Sequence, residues 1–360
     1  MSKEKISCWM ISAVDTPKML MFLRGALVLL VLFAGGCQQG PKADFAYRGL
    51  ALGTSFSVKV TTLPPGIDRE FLKNKLDSLI EQVNQQMSTY LQSSELSKFN
   101  RSRSTSWQPV SNDLARVVAL ALAVSEWSEG AFDVTVGPLV NLWGFGPDPR
   151  LNQAPSPKAI AQAKSRLGYQ SLEVRQSPPA LRKQKADLYV DLSAIAKGYA
   201  VDKLAEFLDA IGTEGYLVEI GGELRLKGLS PRGEPWRIAI EKPEANVRQI
   251  QKVLTLTDTA VATSGDYRNY FEVNGRRFSH TIDPRTGMPI SHRLASVTVL
   301  SHTTTQADAL ATALMVLGPD KGWKKAVETG IAALFIVKEK EGFAEKATKA
   351  FLSRISEDSS

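Results

Sequence analysis

Apolar residues recur along this chain with two periods, and each stretch declares its element by the period it keeps. Phe56, Val58 and Val60 alternate with Ser55, Ser57 and Lys59, the spacing of a half-buried strand. After Asp68, a residue suited to capping, Phe71, Leu72, Leu76, Leu79, Ile80, Val83 and Met87 fall on one helical face. A second helix opens at Ser111, turns Leu114, Val117, Val118, Leu122 and Trp127 inward, and stops at Gly130. A third is expected near 157–167, behind a Pro-rich stretch over 147–160 that reads as an exposed excursion. Strands are expected near 171–175, 187–191, 216–220, 236–240, 297–300 and 332–337, and helices over 200–208, 303–317 and 321–328. Asn274-Gly275, between apolar pairs, predicts a tight hairpin. Residues 343–360 read as a charged tail. Without an internal repeat, this mixture predicts an α+β fold, a single mixed α/β unit spanning 47–342.

A chain of 360 residues can bury a sizeable core. Part of its formal charge of +7 sits in Lys3, Lys5, Lys18 and Arg24, ahead of an apolar run. That run, residues 25–34, is too short to span a bilayer as a mature helix and reads as a secretory signal. Ala34-Gly35-Gly36-Cys37 then resembles a bacterial lipobox, with Ala34 where most carry Leu. Residues 1–36 are thus expected to be a lipoprotein-type signal, Cys37 the acylated N-terminus and 37–46 a tether. The other cysteine, Cys8, lies inside the signal, so the exported domain is expected to hold no disulfide. Elsewhere no dense Lys/Arg stripe with interleaved aromatics occurs, which argues against nucleic acid. The mild positive balance suits an anionic small ligand.

The candidate chemistry gathers around Asp191-Leu-Ser-Ala-Ile-Ala-Lys-Gly-Tyr-Ala-Val-Asp202. An extended segment turning into a helix leaves backbone N–H groups aimed at the turn, a setting for an anion, and Asp191 and Lys197 add one charge of each sign. On the 303–317 helix, Asp308 and Thr312 stand one turn apart on one face. Two such oxygens suit a hard cation such as Mg²⁺, with the Ala194 carbonyl completing the shell. The alternative is an ordinary amphipathic helix whose Thr bonds back to its own turn. His280, at a strand end, can serve as base or hydrogen-bond donor, whereas His292 and His302 read as surface residues. Gly53-Thr54 would let backbone approach a ligand closely. Tyr90 is a stacking platform or a core-edge aromatic. The stretches 131–139 and 143–146, rich in Gly, Pro and aromatics, suit a pocket for a planar ring. Walker A, Gly-x-Gly-x-x-Gly and His-Glu-x-x-His patterns are absent from the sequence.

These stretches, taken in order from about 47 to 340, resemble the ApbE-type FAD:protein FMN transferases. The matching blocks are Leu52-Gly53-Thr54, Met87–Tyr90 with 94–100, 131–137 with 141–146, Asp191–Asp202, 218–222, 263–267, 280–287 and 308–314. The resemblance implies a two-lobed unit with FAD in the cleft between the lobes. It also implies a periplasmic, lipid-anchored enzyme that joins the FMN half of FAD to a Thr or Ser hydroxyl and releases AMP. By position, Leu52, Tyr90, Ala131, Phe132, Asp133, Asp191, Lys197 and Ile282 would contact FAD. Ala194, Asp308 and Thr312 would bind Mg²⁺. His280 is similar to a His near the pyrophosphate; it or Asp283 would take the acceptor's proton, and Lys197 would offset charge on the departing AMP. Implied acceptors are subunits of sodium-pumping NADH:quinone reductase, related electron-transport subunits or FMN-binding domains. Alternatives from the same residues are an Mg²⁺-dependent FAD pyrophosphatase and a non-catalytic FAD-binding lipoprotein.

Overall fold

Alternating strands close into sheet where neighbours share the period, and here eight of them do. In the computed structural model, which describes residues 43–147, 154–244, 249–266, 270–273 and 276–355, they form one antiparallel sheet. Its order is Phe45–Ala51, Thr54–Val60, Tyr216–Ile220, Glu223–Lys227, Ala260–Gly265, Leu294–Ser301, Ala332–Lys338 and Phe343–Ala347. The signal, Cys37, the tether as far as residue 42, and the Asn274–Gly275 turn lie outside the described residues. Strands Tyr270–Val273 and Arg276–Ser279 do pair, with Val273 opposite Arg276.

Both faces of the sheet are covered. On one, Phe56, Val58, Val218, Ile220, Val297, Val299 and Phe335 join a core with the helices Arg69–Met87, Asn112–Trp127, Ala196–Ala210 and Thr304–Glu328. On the other, Leu217, Leu226, Val261, Leu300 and Leu334 meet Trp236, Ile238, Leu254 and Leu256 of a separate hairpin, Trp236–Glu241 with Ile250–Leu256. Leu294–Ser301 lies between the two cores, and all of its residues are buried. That is the burial of a central strand covered on both sides.

Most expected helices form as read. Asp68 caps Arg69–Met87, Ser111 caps Asn112–Trp127 and Thr303 caps Thr304–Glu328, each through its side-chain oxygen. Thr304–Glu328 is interrupted at Gly318 (φ 82°, ψ −177°), just before Pro319, so it amounts to the two helices expected there.

Two expectations fail. The apolar run 187–191 forms no strand, although Leu188 and Val190 are fully buried. Side chains replace a partner strand: Asn100 Nδ2 donates to the Val190 carbonyl at 2.8 Å and the Val190 N–H donates to Asn100 Oδ1 at 2.8 Å. The buried Lys183 ammonium donates to the carbonyls of Phe99 (3.1 Å), Asn100 (3.3 Å) and Leu188 (3.3 Å). Burial pulls the Lys183 pKa down to about 8. The second failure is the charged tail. Phe343–Ala347 completes the sheet beside Ala332–Lys338, and Lys349–Leu352 is a short helix with Phe351 wholly buried. The strand's two charges point to opposite faces: Glu345 pairs with Lys252 at 3.2 Å and Lys346 lies over the Trp323 ring. Strand Phe45–Ala51 likewise extends into residues expected to be tether.

Candidate functional site

Two hairpin turns and two helix starts converge on one cleft of roughly 1540 Å³. Each turn spans two residues that both have positive φ, the geometry that matches strand twist. Leu52 (φ 51°) and Gly53 (φ 75°) join the first two strands, and Gly221 (φ 62°) and Gly222 (φ 96°) join Tyr216–Ile220 to Glu223–Lys227. Leu52 sits in a conformation that few non-glycine residues adopt. Gly221 must lack a Cβ, which would stand 2.8 Å from Thr54 Cγ2 and 3.3 Å from Lys197 Cδ. The Gly-Gly pair therefore brings backbone against the Lys197 side chain.

The helices meet more closely still. A Cβ on Gly198 would lie 2.4 Å from the Thr304 carbonyl oxygen and 2.9 Å from Asp308 Cβ. Without it, Ala196–Ala210 and Thr304–Glu328 pack close enough for Asp308 Oδ2 to accept the Gly198 N–H at 3.0 Å. That N–H lies in the first turn of its helix, where no carbonyl within the helix can take it, so Asp308 satisfies an otherwise unpaired donor. The Ala194 carbonyl, just ahead of the helix, accepts no backbone N–H among the described residues. Asp202, the last residue of the opening motif, faces elsewhere: its carboxylate accepts the N–H groups of Thr304 (2.9 Å) and Thr305 (2.8 Å) and pairs with Arg225 (2.9 Å). It closes the start of the second helix with a charge suited to that end.

Lys197 Nζ stands 2.9 Å from Glu223 Oε1 and 3.4 Å from Asp308 Oδ2. Burial alone would lower the Lys197 pKa, but the two carboxylates more than reverse it, so the ammonium stays charged. Burial, reinforced by Asp308 and opposed by Lys197, pushes Glu223 up to about 7. Its Oε2 is buried with no hydrogen-bond partner among the described residues. Nothing in the sequence period singled out Glu223; the only signal was an acid directly after a Gly-Gly turn.

The expected site residues come together with one exception. Leu52, Tyr90, Ala131, Phe132, Asp133, Asp191, Ala194, Lys197, His280, Ile282, Asp308 and Thr312 all line the cleft. Asp133 and Asp191 also brace their own loops. Asp133 Oδ1 accepts the Thr135 N–H and hydroxyl, each at 2.7 Å, and Oδ2 accepts the Tyr169 N–H at 3.2 Å. Burial raises the Asp133 pKa against the pull of those bonds. Asp191 Oδ1 accepts the Ser193 N–H at 2.8 Å and also the Ser193 hydroxyl. Tyr90 is 63% exposed, its ring lining the cleft rather than the core, with its hydroxyl 3.4 Å from the Phe145 carbonyl. The Phe145 ring edge is also turned to His280, their centroids 6.3 Å apart.

Asp283 is the exception. Arg285 grips its carboxylate with two bonds of 2.9 Å, and its carbonyl accepts Gly287 N–H at 2.8 Å, so it builds the turn instead of lining the cleft. Of the two residues expected to take the acceptor's proton, His280 lines the cleft and Asp283 does not. His292 also departs from expectation: both ring nitrogens are buried, and the ring lies against Gly318 where the last helix breaks. His302 is exposed, as read.

Ala194, Asp308 and Thr312 thus line one cleft and offer it three kinds of oxygen: a carbonyl, a carboxylate and a hydroxyl. This is the donor set of a hard divalent cation that keeps some of its waters. No cluster of three or more His, Cys, Asp or Glu suited to a metal occurs among the described residues.

The ApbE family model matches residues 52–335. The FAD:protein FMN transferase of Vibrio cholerae serotype O1 is 47% identical over 326 residues, covering 91% of this chain and 96% of its own. The protein of the same description from Escherichia coli K12 is 41% identical, covering 92% and 97%. Among solved structures, the flavin transferase ApbE from Vibrio cholerae superposes with a TM-score of 0.81 at 45% identity, covering 86% of this chain and 98% of its own. The apo flavinyl transferase ApbE of Pseudomonas stutzeri does so with a TM-score of 0.79 at 44% identity, covering 88% and 98%. The chain shares the overall architecture of these solved structures and belongs to the ApbE family.

Proposed function

We propose that this chain is an Mg²⁺-dependent FAD:protein FMN transferase that attaches FMN to a Thr or Ser hydroxyl of an acceptor protein and releases AMP. The observation that carries the reading is that Ala194, Asp308 and Thr312 line one cleft beside Lys197, with Asp308 anchored on the Gly198 N–H. Relatives described as FAD:protein FMN transferases at 41–47% identity support it.

In this reading the Ala194 carbonyl, Asp308 and Thr312 hold the cation, which supplies charge neutralisation at the diphosphate. Lys197, already fixed by two carboxylates, contributes a second positive charge on the same side. Tyr90 offers its exposed ring to a planar group, and Leu52 and Gly53 let backbone come close. His280 accepts the proton of the acceptor hydroxyl. The hydroxyl oxygen bonds to the phosphorus of the FMN half. The bond from that phosphorus to the bridging oxygen breaks, and AMP departs with the electron pair. Such a transfer depends mainly on positioning and charge stabilisation, which this cleft provides.

The acceptor is a protein, so its segment must reach the cleft from solvent. The proposal includes lipid anchoring at Cys37 on the periplasmic side, which would hold the enzyme near membrane-bound acceptors such as electron-transport subunits. No helix among the described residues is long and apolar enough to cross a membrane. The test is to incubate the protein with FAD and Mg²⁺, with and without an acceptor domain, and to follow AMP by chromatography. AMP release that depends on acceptor supports transfer. Equal release with water alone would assign FAD pyrophosphatase activity, and no release in either case would leave a flavin-binding protein.

A further inference from the structure

Glu223 is 4% exposed, yet half of its carboxylate has nothing to bind. Oε1 holds Lys197 at 2.9 Å, with the Thr263 backbone amide directed at the same carboxyl group. Oε2 is buried in the cleft wall with no hydrogen-bond donor among the described residues. A buried acceptor left in this state is costly, and proteins seldom keep one unless something else fills it. Apolar neighbours could have lined the position at no such cost. The residue stands at the end of a forced turn, with Gly221 and Gly222 bringing it to Lys197, so its placement is built by the backbone and not by chance of rotamer.

The charges around it define what the ligand must bring. Lys197 bridges Glu223 and Asp308, so the region carries two carboxylates and one ammonium. It has room for further positive charge on the Asp308 side and for a hydrogen-bond donor on the Oε2 side. A hydrated divalent cation supplies both at once, because a cation held by few protein oxygens keeps waters whose O–H groups donate strongly.

We propose that Glu223 is a positioning residue for the cation site: Oε1 fixes Lys197, and Oε2 receives a hydrogen bond from a water carried by the divalent ion. This rests on the proposed cation site at Ala194, Asp308 and Thr312 and adds a residue outside that set. Glu223 touches the ion only through its water, and it holds Lys197 directly. The same carboxylate thereby couples the two positive groups of the cleft.

The test uses Mn²⁺ alone, titrated into the full exported domain without flavin, with free ion read by electron paramagnetic resonance. Glu223→Gln keeps the side-chain size but replaces one acceptor by a donor. It is expected to weaken Mn²⁺ binding about 10- to 100-fold, the usual range for loss of a group bound to a metal's ligands, while the metal-free melting temperature stays near that of the parent. Mn²⁺ affinity within twofold of the parent would overturn the proposal. Should Glu223→Gln fail to fold, Glu223→Asp carries the same test: its carboxylate is one methylene short, and affinity should again fall; unchanged affinity would again overturn it. Asp308→Ala separates the two levels. If it binds Mn²⁺ like the parent, the cation site itself is wrong; if it loses Mn²⁺ while Glu223→Gln does not, only the role of Glu223 is.

Discussion

Asp308 shows how one side chain can tie two helices together at a site. It accepts the Gly198 N–H, which the first turn of its own helix leaves unpaired, and it faces Lys197 across 3.4 Å. Its pairing with Thr312 was legible from spacing alone, and so was the cluster at 191–202. Glu223, Asn100 and Lys183 were not, because their partners lie 26, 90 and about 84 positions away, and no local period records such contacts. Asp283 misled for the opposite reason: a carboxylate beside His280 reads as a base, yet Arg285, two positions on, had already claimed it. Tyr90 gives the clearest test at this scale. Replacing it by Ala should weaken FAD binding, read by quenching of flavin fluorescence, by about 0.5–1.5 kcal/mol for loss of ring stacking. Tyr90→Phe should bind FAD as the parent does; a comparable loss would assign the effect to the hydroxyl instead of the ring.

At the scale of elements, the site depends on how closely two helices cross and how sharply two hairpins turn. Gly198 permits the first, and Leu52-Gly53 and Gly221-Gly222 supply the second. Helix starts were readable because Asp68, Ser111 and Thr303 announce themselves one residue ahead. The segment 187–191 was misread because burial and strand formation usually coincide; here Asn100 and Lys183 satisfy the backbone, so burial comes without a ladder. Gly198→Ala sets a new Cβ against the Thr304 carbonyl, a backbone atom that cannot swing aside. It should cost about 1–3 kcal/mol of stability by denaturant unfolding and also weaken divalent-ion binding, since Asp308 would move with its helix. A variant of unchanged stability and ion affinity would show that the close crossing is not needed.

Across the whole molecule, the sheet reaches further than charge composition suggests. Residues 343–352 contain many polar side chains, but Phe343 and Phe351 pack against the second core. Truncation after residue 341 should therefore destabilise the protein by at least about 3 kcal/mol in denaturant unfolding, the least expected for losing one buried Phe; an unchanged unfolding midpoint would contradict this. A second prediction concerns acid. Burial holds His292 below its ordinary pKa, against the pull of Asp266 and Asp283, so it stays neutral in the fold. The unfolded chain then binds the extra proton first, so the stabilising effect is complete above about pH 6.5 and declines as pH falls below it. His292→Gln, neutral at every pH, should show a flatter decline between pH 7 and 5 in thermal melts; parallel curves for the two proteins would contradict this.

The central claim is that a cation-ready cleft transfers FMN to a protein hydroxyl. Intact-mass spectrometry of an acceptor domain incubated with FAD, Mg²⁺ and this protein tests it most directly. The expected result is a gain of one FMN less water, mapped to a Thr or Ser and absent with Asp308→Ala. An acceptor of unchanged mass, while FAD is split to FMN and AMP, would contradict it.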